Sequence, residues 1–203
     1  MKTFKEIDSF SDWDKEEKKS FSIRTLKGII LDSVRKANSG HPGGALSSID
    51  FAYILFSEYL NFDPNDPDWF NRDRFILSAG HESMLLYSLL NLIGWLSLDD
   101  LKQFRQLHSN TPGHPEVHIP GVEATTGPLG QGVGMGIGMA VAEQMYKNIC
   151  SSNTNEDTSF LSHKTYILCS DGDIQEPVSL GAASLAGHWN LKELTMYYDS
   201  NDA

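Results

Sequence analysis

The chain has 203 residues, 40% of them hydrophobic, so it is long enough to bury a substantial core. Its net charge of −11 repels phosphate backbones and anionic lipid surfaces, which disfavours non-specific binding to nucleic acid or membranes. The longest apolar stretch, residues 84–96, is shorter than the roughly 18 residues of a membrane-spanning helix, and the two cysteines favour a reducing, cytoplasmic location.

The N-terminal part of the sequence predicts a polar arm followed by two helices. Residues 1–20 mix both charges without an apolar stretch, which predicts an arm that precedes one domain over residues 21–203. Apolar residues then recur at three- and four-residue intervals over residues 23–37 and 46–60, as expected for helices that bury one face. The first helix is expected to end at the turn-forming sequence of residues 38–40.

Short apolar runs in the rest of the chain predict three strands. The candidate strands are residues 75–77, 166–169 and 194–198, and helices are expected over residues 83–92, 132–146 and 178–186. Residues 108–132 contain four prolines and are expected to form a loop, and residues 151–159 a polar connection. Because a strand, a helix and a strand follow one another within about 30 residues, a right-handed crossover is expected. The predicted fold is α/β, a mainly parallel sheet flanked by helices.

Oxygen-bearing side chains follow two of the predicted strands. Asp171 and Gly172 come directly after the second strand, and Asn201 comes shortly after the third. Ligands of open α/β sheets bind beyond the carboxyl ends of the strands, so Asp171 and Asn201 would share one crevice if these strands are neighbours. Such oxygens suit Mg²⁺ or Ca²⁺, and Gly172 would let a diphosphate approach the backbone. The alternative is that Asp171 caps a turn or helix and Asn201 ends a strand.

Three histidines lie in turns that contain glycine or proline. His41, His81 and His114 are held where a rigid turn can present a titratable side chain at a cleft, although a lone histidine in a turn is more often a surface or capping residue. His163 and His188 are expected at the surface. A zinc site formed by residues 108–118 is disfavoured, because the prolines between its histidines prevent a helix from presenting them on one face.

Glycines repeat at every second position over residues 130–138. Such a pattern requires close approach of a cofactor, a neighbouring helix or a second subunit, and for residues 134–138 packing is the favoured interpretation because they lie within the predicted helix. The sequence contains neither a P-loop nor a G-x-G-x-x-G motif in register.

Several of these segments together resemble the N-terminal domain of the transketolase family. The resemblance covers roughly residues 20–203 and leaves the domain incomplete at its C-terminus, since Ala203 lies within the cofactor signature. The matching segments are residues 39–43, 72–78, Gly80-His81, residues 83–85, 104–108, 111–116 and 125–132. The sequence departs from the family pattern at Ser170, Pro177 and Gly181, where relatives usually carry glycine, glycine and an interfacial acid.

The resemblance implies thiamine diphosphate chemistry, in which a two-carbon ketol unit moves from a phosphorylated ketose to an aldose, as in the pentose phosphate pathway. It implies that Asp171, Asn201 and the backbone carbonyl of Ala203 bind Mg²⁺ or Ca²⁺. His81 and Gly172 would lie at the diphosphate, and Gly127 and Leu129 at the rings of the cofactor. His41 and His114 would bind substrate hydroxyls and, together with His81, serve as catalytic residues.

The resemblance also implies partners for this chain. A complete enzyme would be a homodimer, or a partner chain would carry the pyrimidine-binding domain with its glutamate. The isolated chain is therefore predicted to be inactive. Two alternatives to a part of a complete transketolase are open. The chain is a non-catalytic remnant or interaction module that keeps the fold, or it is one chain of a split enzyme.

Overall fold

The computed structural model describes residues 10–153 and 161–200, which form seven α-helices and three β-strands. In chain order these elements are α1 Lys15–Ala37, α2 Pro42–Ile54, β1 Arg74–Leu77, α3 Ser83–Ile93, α4 Leu98–Lys102, α5 Gln131–Asn153, β2 Thr165–Ser170, α6 Asp171–Gln175, α7 Pro177–His188 and β3 Leu194–Asp199. A π-helical turn, Leu55–Tyr59, continues α2, and a 3₁₀ turn, Gly80–Glu82, leads into α3.

Helix α1 begins within the segment that was expected to be a polar arm. Asp14 accepts a hydrogen bond from the backbone N–H of Glu17 at 2.8 Å, and the Glu17 carboxylate accepts from the N–H of Asp14 at 3.3 Å. This capping box satisfies the free amides at the helix start, so the helix starts at Lys15. The division into an arm and a domain stays a prediction, and residues 1–9 lie outside the described residues. The predicted end is confirmed, because Asn38 adopts a left-handed conformation with φ of 49°.

The three strands form a parallel sheet in the order β1-β2-β3. Side chains alternate between the two faces, so Phe75 and Leu77 pack with α1, α2 and α3, whereas Ile76 packs with α5 and α7. Residues of β2 divide in the same way, which places one layer of helices on each face of the sheet. The predicted α/β fold with a parallel sheet flanked by helices is confirmed.

Two glycines allow helix α5 to lie close against the sheet. A Cβ atom on Gly132 would lie 2.5 Å from the Cα of Ser78, and one on Gly136 would lie 2.6 Å from the Cδ1 of Ile167. Close packing thus accounts for Gly136, whereas Gly138 has no described atom within 4 Å of such a Cβ.

The structure differs from the predicted elements in three further places. The short helices α4 and α6 were not predicted, and α5 continues to Asn153, into the expected polar connection, while residues 154–160 lie outside the described residues. Among the described helices, none is long and apolar enough to cross a membrane.

Candidate functional site

A cavity of about 440 Å³ opens at the carboxyl end of β2. Four separate parts of the chain meet there: the start of α2, the 3₁₀ turn after β1, the loop before α5, and the start of α6. The lining residues are His41, His81, Gly127, Leu129, Ser170, Asp171 and Gly172.

The loop before α5 is fixed to the end of β1. The Thr126 hydroxyl donates a hydrogen bond to the carbonyl of Leu77 at 2.8 Å, and a Cβ on Gly80 would lie 2.8 Å from the backbone nitrogen of Gly127. Gly127 itself has φ of 144°, a conformation that favours glycine. The absence of a side chain at Gly80 therefore lets the loop lie directly against the turn that carries His81, and its absence at Gly127 leaves space for His114.

Asp173 connects three of the segments that surround the cavity. Its carboxylate accepts hydrogen bonds from the Ser78 hydroxyl and the Gly130 N–H, both at 2.7 Å, and from the backbone and hydroxyl of Ser170. The side chain is fully buried, and four donors satisfy its charge. Asp173 thus holds the ends of β1 and β2 and the start of α5 in a fixed arrangement.

The three histidines in turns lie near one another. The rings of His41 and His81 are 5.4 Å apart and nearly perpendicular, and a Cβ on Gly127 would lie 3.3 Å from His114. Partial burial is the main cause that lowers the pKa of His81, and the neighbouring His41 lowers it further. His114 is partly exposed, and the burial of part of its ring, followed by the charge of Arg105, lowers its pKa. At neutral pH both rings are therefore uncharged and can accept a proton.

A second, larger concavity borders the first. Residues 105–118 form an open concavity of about 810 Å³. His114 lies on the wall of this concavity and also against Gly127. His114 therefore stands between the two concavities.

The carboxylate of Asp171 projects from the carboxyl edge of the sheet. The strands β2 and β3 are neighbours, and Ser170 pairs with Asp199 in the register. The Tyr198 hydroxyl donates a hydrogen bond to Asp171, which raises the pKa of the tyrosine. The Ser47 hydroxyl donates to Asp199 at 3.1 Å, so α2 also contacts this edge.

Glu82 lies beside this group of residues but does not line the cavity. Its side chain is fully buried, and its Oε1 atom is 3.9 Å from the Nε2 atom of His81. Burial raises the pKa of Glu82 to about 8, with smaller contributions from Asp199 and Asp173. The carboxyl is therefore largely protonated at neutral pH.

Comparison with known proteins identifies the family of this chain. Residues 18–203 match the family model described as transketolase, thiamine diphosphate binding domain. The transketolase of Geobacillus stearothermophilus is 53% identical over 183 residues, and that of Bacillus subtilis (strain 168) is 51% identical over 191 residues. These alignments cover 89% and 93% of this chain. The chain belongs to the transketolase family.

Solved transketolases have the same fold. The enzyme from Leishmania mexicana matches with a TM-score of 0.84 and 41% identity over 90% of this chain, and 27% of that chain is covered. A Pichia stipitis transketolase in complex with sedoheptulose-7-phosphate matches with a TM-score of 0.81 and 42% identity, over 90% of this chain and 27% of that chain. The chain also spans only 27% and 28% of the length of the two bacterial transketolases.

The structure brings most of the predicted transketolase site together. His41, His81, Gly127, Leu129, Asp171 and Gly172 line one cavity, and His114 lies beside it. Their roles stay predictions. Asn201 and Ala203, the other two predicted metal ligands, lie outside the described residues. Within residues 10–153 and 161–200, no three His, Cys, Asp or Glu side chains form a metal-binding group.

Sequence reasoning missed two residues of this region. Asp173 could have been found, because Ser170-x-x-Asp173 has the spacing of a capping box. Glu82 gave no such signal.

The prediction that His163 lies at the surface is wrong, since its side chain is buried. Burial, followed by the charges of Arg74 and Lys147, lowers the pKa of His163 to about 4.

Proposed function

We propose that this chain forms the diphosphate- and metal-binding part of a thiamine diphosphate site. The enzyme to which it contributes would transfer a two-carbon ketol unit from a phosphorylated ketose to an aldose. The observation that carries the proposal is the convergence of His81, Asp171 and Gly172 on one cavity in a chain of the transketolase family. The sugar phosphate bound to the Pichia stipitis relative supports a phosphorylated sugar as substrate.

The groups around Asp171 fit a hard divalent cation. A carboxylate at the carboxyl edge of a parallel sheet suits Mg²⁺ or Ca²⁺, and the family resemblance would add Asn201 and the carbonyl of Ala203 as further ligands. Gly172 follows Asp171 and has no side chain to separate its backbone from a diphosphate; a Cβ there would lie 2.8 Å from Leu129. A metal ion would also supply positive charge at the site, where the net charge of −11 otherwise repels a diphosphate.

The histidines of the cavity suit proton transfer and binding of hydroxyl groups. Thiamine diphosphate, when bound, supplies the nucleophilic carbon of its thiazolium ring. An uncharged His81 can accept a proton or donate a hydrogen bond to an oxygen on which negative charge develops. His41 at the cavity and His114 beside it are exposed to solvent, and there they would bind substrate hydroxyls. The concavity of residues 105–118 provides space beside His114.

The remaining parts of the site would come from elsewhere. Relatives of this chain are more than three times as long, and the proposed homodimer, or a partner chain with a pyrimidine-binding domain, would supply the opposite wall.

Calorimetric titration of thiamine diphosphate into the purified chain tests this proposal. Binding is expected in the presence of Mg²⁺. It should be lost when EDTA removes the metal, and it should be lost in Asp171→Ala. The matched control is Asp32→Ala, which removes an exposed aspartate from α1 and should leave binding unchanged. Equal affinity with and without metal would refute the assigned role of Asp171.

A further inference from the structure

The 3₁₀ turn carries a carboxyl group that has no part in the proposed function. The Glu82 side chain is 0% exposed, and among the described residues no group forms a hydrogen bond with its Oε1 or Oε2 atom. A buried charge without a partner is strongly destabilising, so such a group is either neutral or interacts with a base close by.

The base closest to this carboxyl in the described site is His81. The distance between Glu82 Oε1 and His81 Nε2 is 3.9 Å, which is too long for a hydrogen bond but short enough for the charge of one group to act on the other. The His81 side chain is 32% exposed and lines the cavity, whereas solvent does not reach Glu82. A change of charge on Glu82 therefore acts on the cavity through His81.

Helix α2 leaves space for the Glu82 carboxyl. A Cβ atom on Gly44 would overlap Oε1 of Glu82, whereas a Cβ on the preceding residue, Gly43, has no described atom within 4 Å. The glycine at residue 44 is thus matched to the acid at residue 82.

The charges that face the pair favour a proton on Glu82. Asp199 at the end of β3 and Asp173 in α6 add to the effect of burial and raise the pKa of Glu82 further. His41 and His114 disfavour a positive charge on His81 and lower its pKa. Asp173 acts in the opposite direction on His81, but burial outweighs it. At neutral pH the carboxyl holds a proton and the imidazole has a free acceptor nitrogen.

We propose that Glu82 is a positioning residue that shares one proton with His81 and thereby sets the charge that this imidazole presents to the cavity. The transfer requires a small side-chain rotation that brings Oε1 and Nε2 within hydrogen-bond distance; the O–H bond of Glu82 then breaks and an N–H bond forms at Nε2 of His81, which gives a carboxylate and an imidazolium. An anionic group in the cavity favours this state, so the chain provides a positive charge there without taking up a proton from solvent. That the anion is a diphosphate rests on the proposed function; the coupling of the two side chains does not.

Nuclear magnetic resonance of the 203-residue chain, labelled with ¹³C at the Cε1 position of its seven histidines, tests the coupling. A pH titration without ligand is expected to show two steps for His81. The first, below pH 6.5, is its own deprotonation, and the second, near pH 8, is the ionisation of Glu82. In Glu82→Gln the second step should be lost. Glu82→Ala should have the same effect and does not place an amide in the buried position.

A matched control removes a carboxylate next to a different histidine. Glu116 lies 3.4 Å from Nδ1 of His118, so Glu116→Gln removes a carboxylate beside another histidine and should leave both steps of His81 unchanged. A single step for His81 in the unaltered chain would overturn the proposal, as would a second step that persists without the Glu82 carboxyl. Because no cofactor is present, either result leaves the proposed function untouched.

Discussion

Glu82 makes the stability of the fold depend on pH. Its pKa is about 8 in the folded chain, against 4.5 for an unperturbed glutamate. Between these values the folded chain holds a proton that the unfolded chain has lost, so the contribution of Glu82 lowers the free energy of unfolding as the pH rises from about 4.5 to about 8.

Glu82→Gln should remove this dependence. The free energy of unfolding of the variant, measured relative to the unaltered chain by urea denaturation at several pH values, is expected to increase by up to about 1.4 kcal/mol per pH unit across that range. A difference that stays constant with pH would show that Glu82 ionises normally in the folded chain.

At the scale of single residues, sequence patterns identified the exposed polar groups better than the buried ones. His41, His81 and Asp171 were found because glycines, prolines or strand ends mark their positions. The burial of Glu82 and His163 depends on contacts between distant segments, such as the approach of α2 to the 3₁₀ turn at Gly44. For Glu82, side-chain type alone predicts the opposite, since glutamate is mostly exposed.

At the scale of elements, the contact between α2 and the 3₁₀ turn depends on one of two adjacent glycines. Gly43→Ala should raise the free energy of unfolding by a few tenths to about 1 kcal/mol, because alanine favours the helix. Gly44→Ala should lower it by about 1–3 kcal/mol, because the new methyl group overlaps the buried Glu82 carboxyl.

A double-mutant cycle separates this overlap from the effect of alanine on the helix. In the Glu82→Ala background the obstacle is gone, and Gly44→Ala should become stabilising, as Gly43→Ala is. If thermal or urea denaturation gave Gly44→Ala the same penalty in both backgrounds, another contact would be responsible.

Elements with a strong apolar pattern could be predicted from the sequence, and short ones could not. The three strands and the long helices follow runs or stripes of apolar residues that a sheet with a helical layer on each face must bury. Helices α4 and α6 have five residues each, too few to show a helical period, and depend on capping by Ser97 and Ser170.

At the scale of the whole molecule, we predict that the 203-residue chain alone has no ketol-transferase activity. Resemblance to the family assigns the carboxylate that activates the cofactor to a domain outside residues 1–203. Glu123 and Glu82 do not replace it, because neither lines the cavity: Glu123 is paired with Arg72 and Arg74, and Glu82 is fully buried. Losing a positioned acid or base removes about 10²- to 10⁴-fold in rate, and an open cavity weakens the remaining electrostatic contacts.

A coupled assay with a phosphorylated ketose, an aldose, thiamine diphosphate and Mg²⁺ measures this activity. The purified chain should give the background rate under conditions in which the Geobacillus stearothermophilus transketolase, as positive control, turns over. A rate comparable to that of the control would mean that residues 1–203 contain a complete site.

The central claim is that the cavity at the carboxyl end of β2 binds the diphosphate of the cofactor. Amide chemical shifts of the ¹⁵N-labelled chain, recorded with Mg²⁺ and either thiamine diphosphate or thiamine, test it most directly. We predict that thiamine diphosphate shifts the amides of His81, Leu129 and Gly172, that thiamine does not, and that Asp171→Ala abolishes the effect. Equal shifts with both ligands, or shifts confined to residues 105–118, would contradict the assignment of this cavity.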